Sequence, residues 1–525
     1  MEKTSLLLSL PTELISQIVE QFQPGPDNNT LRALARTSQT LKYIAERHLY
    51  SSTAFRTHGR FHAFHDTLKA RPELRTYVRD LALPWSTRFF DYDPYFDPLD
   101  LCSLPNLTSF LSESPFCNKH YGDHIGSTRG VEEGWSRVVE NFLDSFREAS
   151  LLTNPGPGGE RPLGHLRHLT LHWTGSSDMR LWEATPFCPI FLLPTLHSLE
   201  ISCMEIRPQG PATNEDNERL SRLSRQTNLQ SLTMTRCNIP TSDLVTILSF
   251  PRALETFSFL QPFFQDIDDN GPPVGTDDMG TLNAAIAQHA SSLRRLELVQ
   301  EPSWHALRSV APPRQLALEL SEFRALTHLH LGGGGRKEKE EAWELTEPLP
   351  PALASLRLSD LWTTRRRRPS AKHALSGLHI RELVAGAARR GVAFELDVGF
   401  VPAAGDALPP LVQDLVPLFS GEEQAQDRDP ADRPVVEEEE EEGKKNGPRH
   451  RVRYMALQRS AYIAPYLCDE VRPAYKLCYD SWRPGGGYVE ERDRTERIYL
   501  DIGGAGNSAS YRDYLPSVPV WDLFG

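Results

Sequence analysis

One hexapeptide pattern, L-x-x-L-x-L, returns seven times between residues 166 and 358 and constrains this chain more than any other feature. It reads "LRHLTL" (Leu166, Leu169, Leu171), "LHSLEI" (Leu196, Leu199, Ile201), "LQSLTM" (Leu229, Leu232, Met234) and "LETFSF" (Leu254, Phe257, Phe259). It continues as "LRRLEL" (Leu293, Leu296, Leu298), "LTHLHL" (Leu326, Leu329, Leu331) and "LASLRL" (Leu353, Leu356, Leu358). "VRDLAL", with Val78, Leu81 and Leu83, is an earlier, degenerate member. Successive starts differ by 30, 33, 25, 39, 33 and 27 residues, so the intervals are irregular while the internal geometry is constant. Each unit predicts an approach turn and a short strand with alternate residues facing one core. Helical patterns such as "ERLSRLSRQ", "SDLVTILS" and "LNAAIAQHASS" lie between units. One strand plus one helix cannot bury its own apolar face, so neighbours must stack. The expectation is an α/β chain whose residues 166–400 form an irregular solenoid with a curved parallel sheet; the competing reading is an unrelated α/β domain with coincident leucine spacing. Around residues 378 to 398 a helix pattern, a glycine stop and a strand pattern supply a last repeat or cap.

At 525 residues the chain has room for two to four domains or one elongated array. Its 39% hydrophobic and 24% charged content is globular, with ample core material. The net charge of −13 is concentrated in residues 422 to 442, which include the run Glu437 to Glu442. A chain-wide basic surface for nucleic acid is therefore not expected. The seven cysteines are scattered without C-x-x-C spacing, which points to neither a disulfide framework nor a zinc knuckle and fits a reducing compartment. Leu6 to Leu8 is too short for a signal core, and no 18-residue apolar span occurs. A soluble intracellular protein, cytoplasmic or nuclear, with no membrane partner is expected.

The N-terminus asks a separate question. "SLPTELISQIVEQFQPG", residues 9 to 25, reads as a helix with Pro11 at its first position and Glu13 against the positive dipole end. Leu14, Ile18 and Phe22 share one face and Ile15 and Val19 an adjacent one, a stripe wider than a small surface helix needs. Pro24 and Pro26 stop it. Thr30 is positioned to cap a second helix with Leu31, Leu34 and Ala35, and Ser38 a third with Leu41, Ile44, Ala45 and Leu49. Three short helices cannot bury a large core alone, so they need a partner, another domain or both.

These residues carry a family resemblance. Leu10-Pro11-x-Glu13-Leu14, then Ile18-Val19 and Phe22, resembles the F-box pattern L-P-x-E-L-x-x-x-I-L-x-x-L. Leu34-Ala35-x-Thr37-Ser38-x-x-Leu41, then Ile44-Ala45 and Leu49-Tyr50, is similar to its second half in fungal members, with Leu41 where a tryptophan is usual. The match spans 8–52. The resemblance implies that the helices dock on a Skp-family adaptor and through it a cullin, in an SCF ubiquitin ligase. Leu10, Pro11, Glu13, Leu14, Ile18 and Val19 would be the contact or support positions. The plain alternative is an ordinary N-terminal core helix.

The repeats in turn resemble leucine-rich-repeat proteins in a long, irregular variant; only Cys237-Asn238 keeps the consensus C/N position. F-box followed by leucine-rich repeats is a recognised arrangement in which the repeats select the protein to be ubiquitinated. Under that resemblance the outward strand positions are the candidate surface for an unknown protein substrate: His168, Thr170, His172, His197, Ser198, Thr233, Arg295, Glu297, His328, His330 and Arg357. Insertions at Gln261 to Gly280 and Gly332 to Glu347 would add to one edge. The implied function is substrate recognition, without a catalytic site of its own. The rival is a non-catalytic scaffold whose F-box-like helices only cap the array.

The remaining stretches are 53–165, a junction with degenerate first repeats; 420–450, an acidic linker expected to be disordered; and 451–525, an aromatic-rich segment expected to pack back on the repeats. No cofactor, metal or catalytic residue is expected. "GGGGRKEKE" lacks the G-x-x-x-x-G-K-[ST] spacing of a phosphate loop. "HGRFHAFHD" places His62 and Asp66 at i, i+4, yet reads better as solvent-facing histidines beside Phe61 and Phe64. "DYDPYFDPLD" has two prolines and no glycine turn, unlike a calcium loop. Arg365 to Arg368 reads as an exposed basic turn or a nuclear-import signal.

Overall fold

The computed structural model describes residues 10–22, 27–55, 58–84, 98–115, 129–151, 161–173, 182–206, 218, 221–235, 237–261, 279–300, 320–332, 349–360, 387, 390–400, 451–457 and 475–480. Most of both insertions, the acidic stretch 420–450, Arg365 to Arg368, Asp91, Asp93 and Asp97, and most of 451–525 lie outside them.

The chain is a mixed α/β protein built on one large, mainly parallel sheet. Three helices open it: α1 (Thr12–Val19), α2 (Asn28–Ala35) and α3 (Gln39–Ser51). Pro11 is the residue that caps α1 rather than its first helical position, and its carbonyl accepts the amides of Leu14 and Ile15. A proline before the first turn forfeits no hydrogen bond, so the position costs nothing. Ser38 caps α3 as expected, its hydroxyl accepting from Leu41 N at 3.2 Å. Thr30 does not cap α2; the helix starts two residues earlier, leaving Thr30 inside its first turn.

Strands follow in chain order: β1 (Ser52–Ala54), β2 (Asp80–Pro84), β3 (Ser109–Glu113), β4 (His168–His172), β5 (Trp182–Ala184), β6 (Ser198–Ser202), β7 (Met204–Ile206) and β8 (Ser231–Thr235). Then come β9 (Thr256–Gln261), β10 (Arg295–Gln300), β11 (His328–Gly332), β12 (Ser355–Asp360), β13 (Ala393–Phe400), β14 (Arg451–Leu457) and β15 (Tyr475–Asp480). The large sheet runs β1-β2-β3-β4-β6-β8-β9-β10-β11-β12-β13-β14-β15, so its order is the chain order. Every pair is parallel except β14 with β15. Strands β5 and β7 form a separate parallel pair. The two pieces of the aromatic segment thus join the sheet itself rather than lying upon it.

The hexapeptides explain the register. Each of the seven starts a strand at its third residue, and "VRDLAL" does the same at Asp80. The middle leucines then stack without a slip, Leu81↔Phe110↔Leu169↔Leu199↔Leu232 and on through Phe257, Leu296, Leu329 and Leu356 to Phe394, all buried. A one-residue slip would turn that whole row to the other face, which is why it is held. Just before the strands a ladder of amides runs unbroken: Thr108 N bonds Arg79 O, Arg167 N bonds Thr108 O, and so on to Ala393 N on Ala354 O. Helices α4 (His58–Ala70), α5 (Arg129–Leu151), α6 (Thr241–Ser249) and α7 (Met279–Ala287) follow along the chain. Trp135, Phe142 and Phe146 of α5, Ile247 of α6 and Ile286 of α7 share one core with the leucine row. The three-helix unit keeps a small core of its own, made of Ile15, Val19, Leu31, Leu41 and Leu49.

Candidate docking surfaces

Large apolar side chains are buried almost everywhere in the described residues. The four exposed ones all belong to the three-helix unit: Leu10 at 36%, Leu14 at 44%, Ile18 at 41% and Tyr43 at 53% exposure. Leu14 and Ile18, four residues apart, lie on one side of α1, and Leu10 precedes the helix next to the capping Pro11. Ile15 and Val19, one residue further on, turn inward and are 2% exposed. The wide stripe of α1 is therefore two faces with different fates. Val19 is a support residue of the small core and not a contact position, because its side chain has no surface to offer. Pro11 and Glu13 are exposed beside Leu10 and Leu14. Tyr43 was not anticipated; its place off the Leu41/Ala45/Leu49 stripe of α3 was the available signal.

The second surface is the sheet face opposite the leucines. Register aligns Thr170, Glu200, Thr233, Ser258, Glu297, His330, Arg357 and Glu395 in one row across eight strands. His168 and His328 are exposed, and His197, Ser198, Thr233 and Arg295 are partly so. Thr170, His172, Glu297, His330 and Arg357 are buried, contrary to the expectation of an outward surface. Pleating does turn them away from the leucines, but side chains on strands less than 5 Å apart cover one another. Glu297, His330 and Arg357 are consecutive members of that row and form an internal polar stretch of it, while His172 lies two residues beyond Thr170, beside Ser202.

Within that row Glu297 is the best-held charge. Its carboxylate accepts the Ser258 hydroxyl and two Arg295 N–H groups, at 2.9 Å from Nε and 2.6 Å from Nη2. Burial alone would push this carboxyl up; His330 and Arg295 nearby, with the Ser258 and Arg295 hydrogen bonds, outweigh it and hold the group below the usual carboxylate range. Burial also lowers the imidazoles of His168 and His328, with His197 adding to the first and Arg295 to the second.

Toward the C-terminal ends of β3, β4 and β6, Ser202 Oγ lies 2.9 Å from His172 Nδ1, and the Trp173 indole donates to Ser112 Oγ at 3.0 Å. Both pairs are sealed from solvent and brace adjoining strands. His65 is buried and stacks on Phe61 at 6.0 Å, so it does not face solvent as expected; its neighbour Asp66 does. Among the described residues no group of three His, Cys, Asp or Glu side chains is arranged to hold a metal ion. Nor is any helix among them long and apolar enough to cross a membrane. The side chains of Cys188, Cys203 and Cys237 are buried, and that of Cys102 is half-buried.

Compared with known proteins, the chain matches no family model and no curated protein. The family resemblance consequently stands on the residues of 8–52 and on the repeated hexapeptide.

Proposed function

We propose that this chain is the substrate-recognition subunit of an SCF-type ubiquitin ligase. In that reading the three-helix unit is an F-box that docks on a Skp-family adaptor, and the serially ordered strands are an irregular leucine-rich-repeat solenoid that holds a protein substrate. The observation that carries it is the exposure of Leu14 and Ile18 on one side of α1, with Leu10 just before the helix and Tyr43 of α3 exposed as well. A helical unit that merely capped the sheet would turn such residues inward, because each buried aliphatic side chain stabilises by roughly 1.5–3 kcal/mol. Leaving three of them in water makes sense when a partner covers them. Leu10, Pro11, Glu13, Leu14 and Ile18 are the contact residues, with Val19 beneath them. On the sheet, His168, His197, Thr233, Arg295 and His328 are the accessible substrate-facing positions. Thr170, His172, Glu297, His330 and Arg357 shape the face from within. The contribution to ligation is proximity: a substrate held beside the conjugating machinery reacts within a complex instead of by free encounter.

One feature favours the rival scaffold reading: α3 runs directly into the edge strand β1, as a cap would. A single experiment separates the two. The full chain, co-expressed with a Skp-family adaptor, is expected to co-purify with it. Leu14→Asp is expected to abolish that association while leaving the circular dichroism of the chain unchanged. Adaptor binding retained by the Asp variant, or absent from the wild type, would overturn the proposal.

A further inference from the structure

The junction between the three-helix unit and the sheet has no linker. Helix α3 ends at Ser51 and β1 begins at Ser52, and the sheet takes hold at once through Arg79 N on Ser51 O at 3.0 Å. A single crossing strand is nonetheless a poor restraint on rotation, since two backbone dihedrals can swing the whole unit. Among the described residues, two side-chain contacts on the flank oppose that freedom. Tyr50 of α3 stacks on Phe64 of α4 with ring centroids 6.1 Å apart. The other is ionic and involves Arg71, which follows α4 and precedes the 3-10 turn Pro72–Tyr77. That turn belongs to the sheet side, because Leu74 and the following Val78 lie in the main core.

Arg71 reaches across to α3 with both terminal nitrogens. Nη1 donates to Glu46 Oε1 at 3.0 Å and Nη2 to Glu46 Oε2 at 2.9 Å. Its Nε donates back to Glu73 Oε1, also at 2.9 Å, on its own turn. The planar guanidinium is thus fixed on the sheet side by one carboxylate and forked onto the helical unit through another. A fork on a carboxylate sets orientation as well as distance, which a point charge does not. The pair is only partly exposed, with side-chain exposures of 35% and 13%. Isolated ion pairs of this exposure contribute too little to decide whether a chain folds, but enough to choose among orientations of two parts that are already folded.

We infer that Arg71 is a positioning residue: its fork onto Glu46 sets the angle between the three-helix unit and the sheet. The consequence for ligation, that adaptor and substrate are held at one fixed separation, rests on the function proposed above; the geometric statement does not.

The test is a distance distribution measured on the full chain. Spin-labelled unnatural residues at Glu20, just past α1, and Ser136 of α5, both exposed, leave the native cysteines untouched. The wild type is expected to give one narrow distance, which Arg71→Ala broadens roughly twofold without loss of helix signal. Arg71→Lys keeps the charge but not the fork and is expected to broaden it as well. Molar salt, where the screening length is about 3 Å, is expected to broaden the wild type in the same direction. If Arg71→Ala does not fold, the Lys variant and the salt series decide. Distributions that superimpose on the wild type throughout would overturn the inference. So would loss of adaptor binding by a folded Arg71→Ala chain, since the pair would then be part of the docking face. A wild-type chain that never binds the adaptor overturns the ligase reading alone and leaves the distance result to judge Arg71.

Discussion

Glu297 offers the sharpest test of the polar row. Its carboxylate is almost fully buried on β10, between Ser258 of β9 and His330 of β11, with Arg295 two residues back on its own strand. Glu297→Ala removes an acceptor for three hydrogen bonds. The Arg295 side chain, a quarter exposed, can return to water, whereas buried Ser258 cannot. Breaking a buried pair commonly costs about 3–5 kcal/mol, and the partial exposure of Arg295 lowers the expectation here to about 2–4 kcal/mol. Glu297→Gln keeps the shape and an acceptor and should cost about 1–2 kcal/mol. The pH dependence has a definite sign. A carboxyl held below its ordinary value contributes stability that is complete above the unfolded pKa of about 4.3 and fades as pH falls through the folded value. The gap between wild type and Glu297→Gln in urea denaturation, followed by circular dichroism, should therefore be largest near neutral pH. It should narrow only below about pH 4.3. A Gln variant as stable as the wild type at neutral pH, or a gap that widens on acidification, would refute the reasoning.

Three further outcomes follow from the same structure. Ile15→Ala should cost about 2–4 kcal/mol in thermal denaturation and Leu14→Ala less than about 1 kcal/mol, although the two residues are adjacent, because one is buried and the other exposed. Ser112→Ala takes the acceptor from a fully buried Trp173 indole and should destabilise by about 1–3 kcal/mol, with a change in near-ultraviolet dichroism marking the tryptophan cluster. Burial pushes the Cys188 and Cys237 thiols up to about 12, so both should resist alkylation at neutral pH in the folded chain. They should react promptly in urea, as read by peptide mass spectrometry.

The leucine spacing made most of the sheet legible because it records two requirements at once: alternate burial along a strand and equal register between strands. β3 escaped it. Its unit reads Leu107-x-x-Phe110-x-Ser112, and the serine in the third slot breaks the apolar signal. The fold tolerates it because Trp173, following the neighbouring strand, donates its indole N–H to that hydroxyl. β13 lost only its first slot, to Gly391, whose φ of 71° is the left-handed turn that ends the preceding segment. Burial on the polar face was less legible. Nothing in "RLELVQ" tells Glu297 from Arg295; the difference arises from Ser258 and His330, which are 39 and 33 residues away. On α1 the sequence exposed an excess of apolar residues but not which of Leu14 and Ile15 turns inward, a choice made by the approach of α3.

That choice bears on what the three-helix unit is for. Its core is small: five buried residues, with Phe22, Leu34, Ile44 and Tyr50 partly covered around it. Rotating α1 by about one residue, or 100°, would bury Leu14 and Ile18 in place of Ile15 and Val19, with little difference in area. Local economy therefore does not select between the two faces, and neither arrangement lets one helix bury both. A second apolar side on so short a helix adds nothing to folding and raises the risk of aggregation. Its presence is a cost the isolated chain bears and an assembled chain does not. The sheet shows the contrary habit, placing Glu297, His330 and Arg357 under cover together sooner than leaving a leucine outside. In a molecule that hides even its charges there, the apolar residues left in water on the three-helix unit are the observation on which the proposed docking role rests.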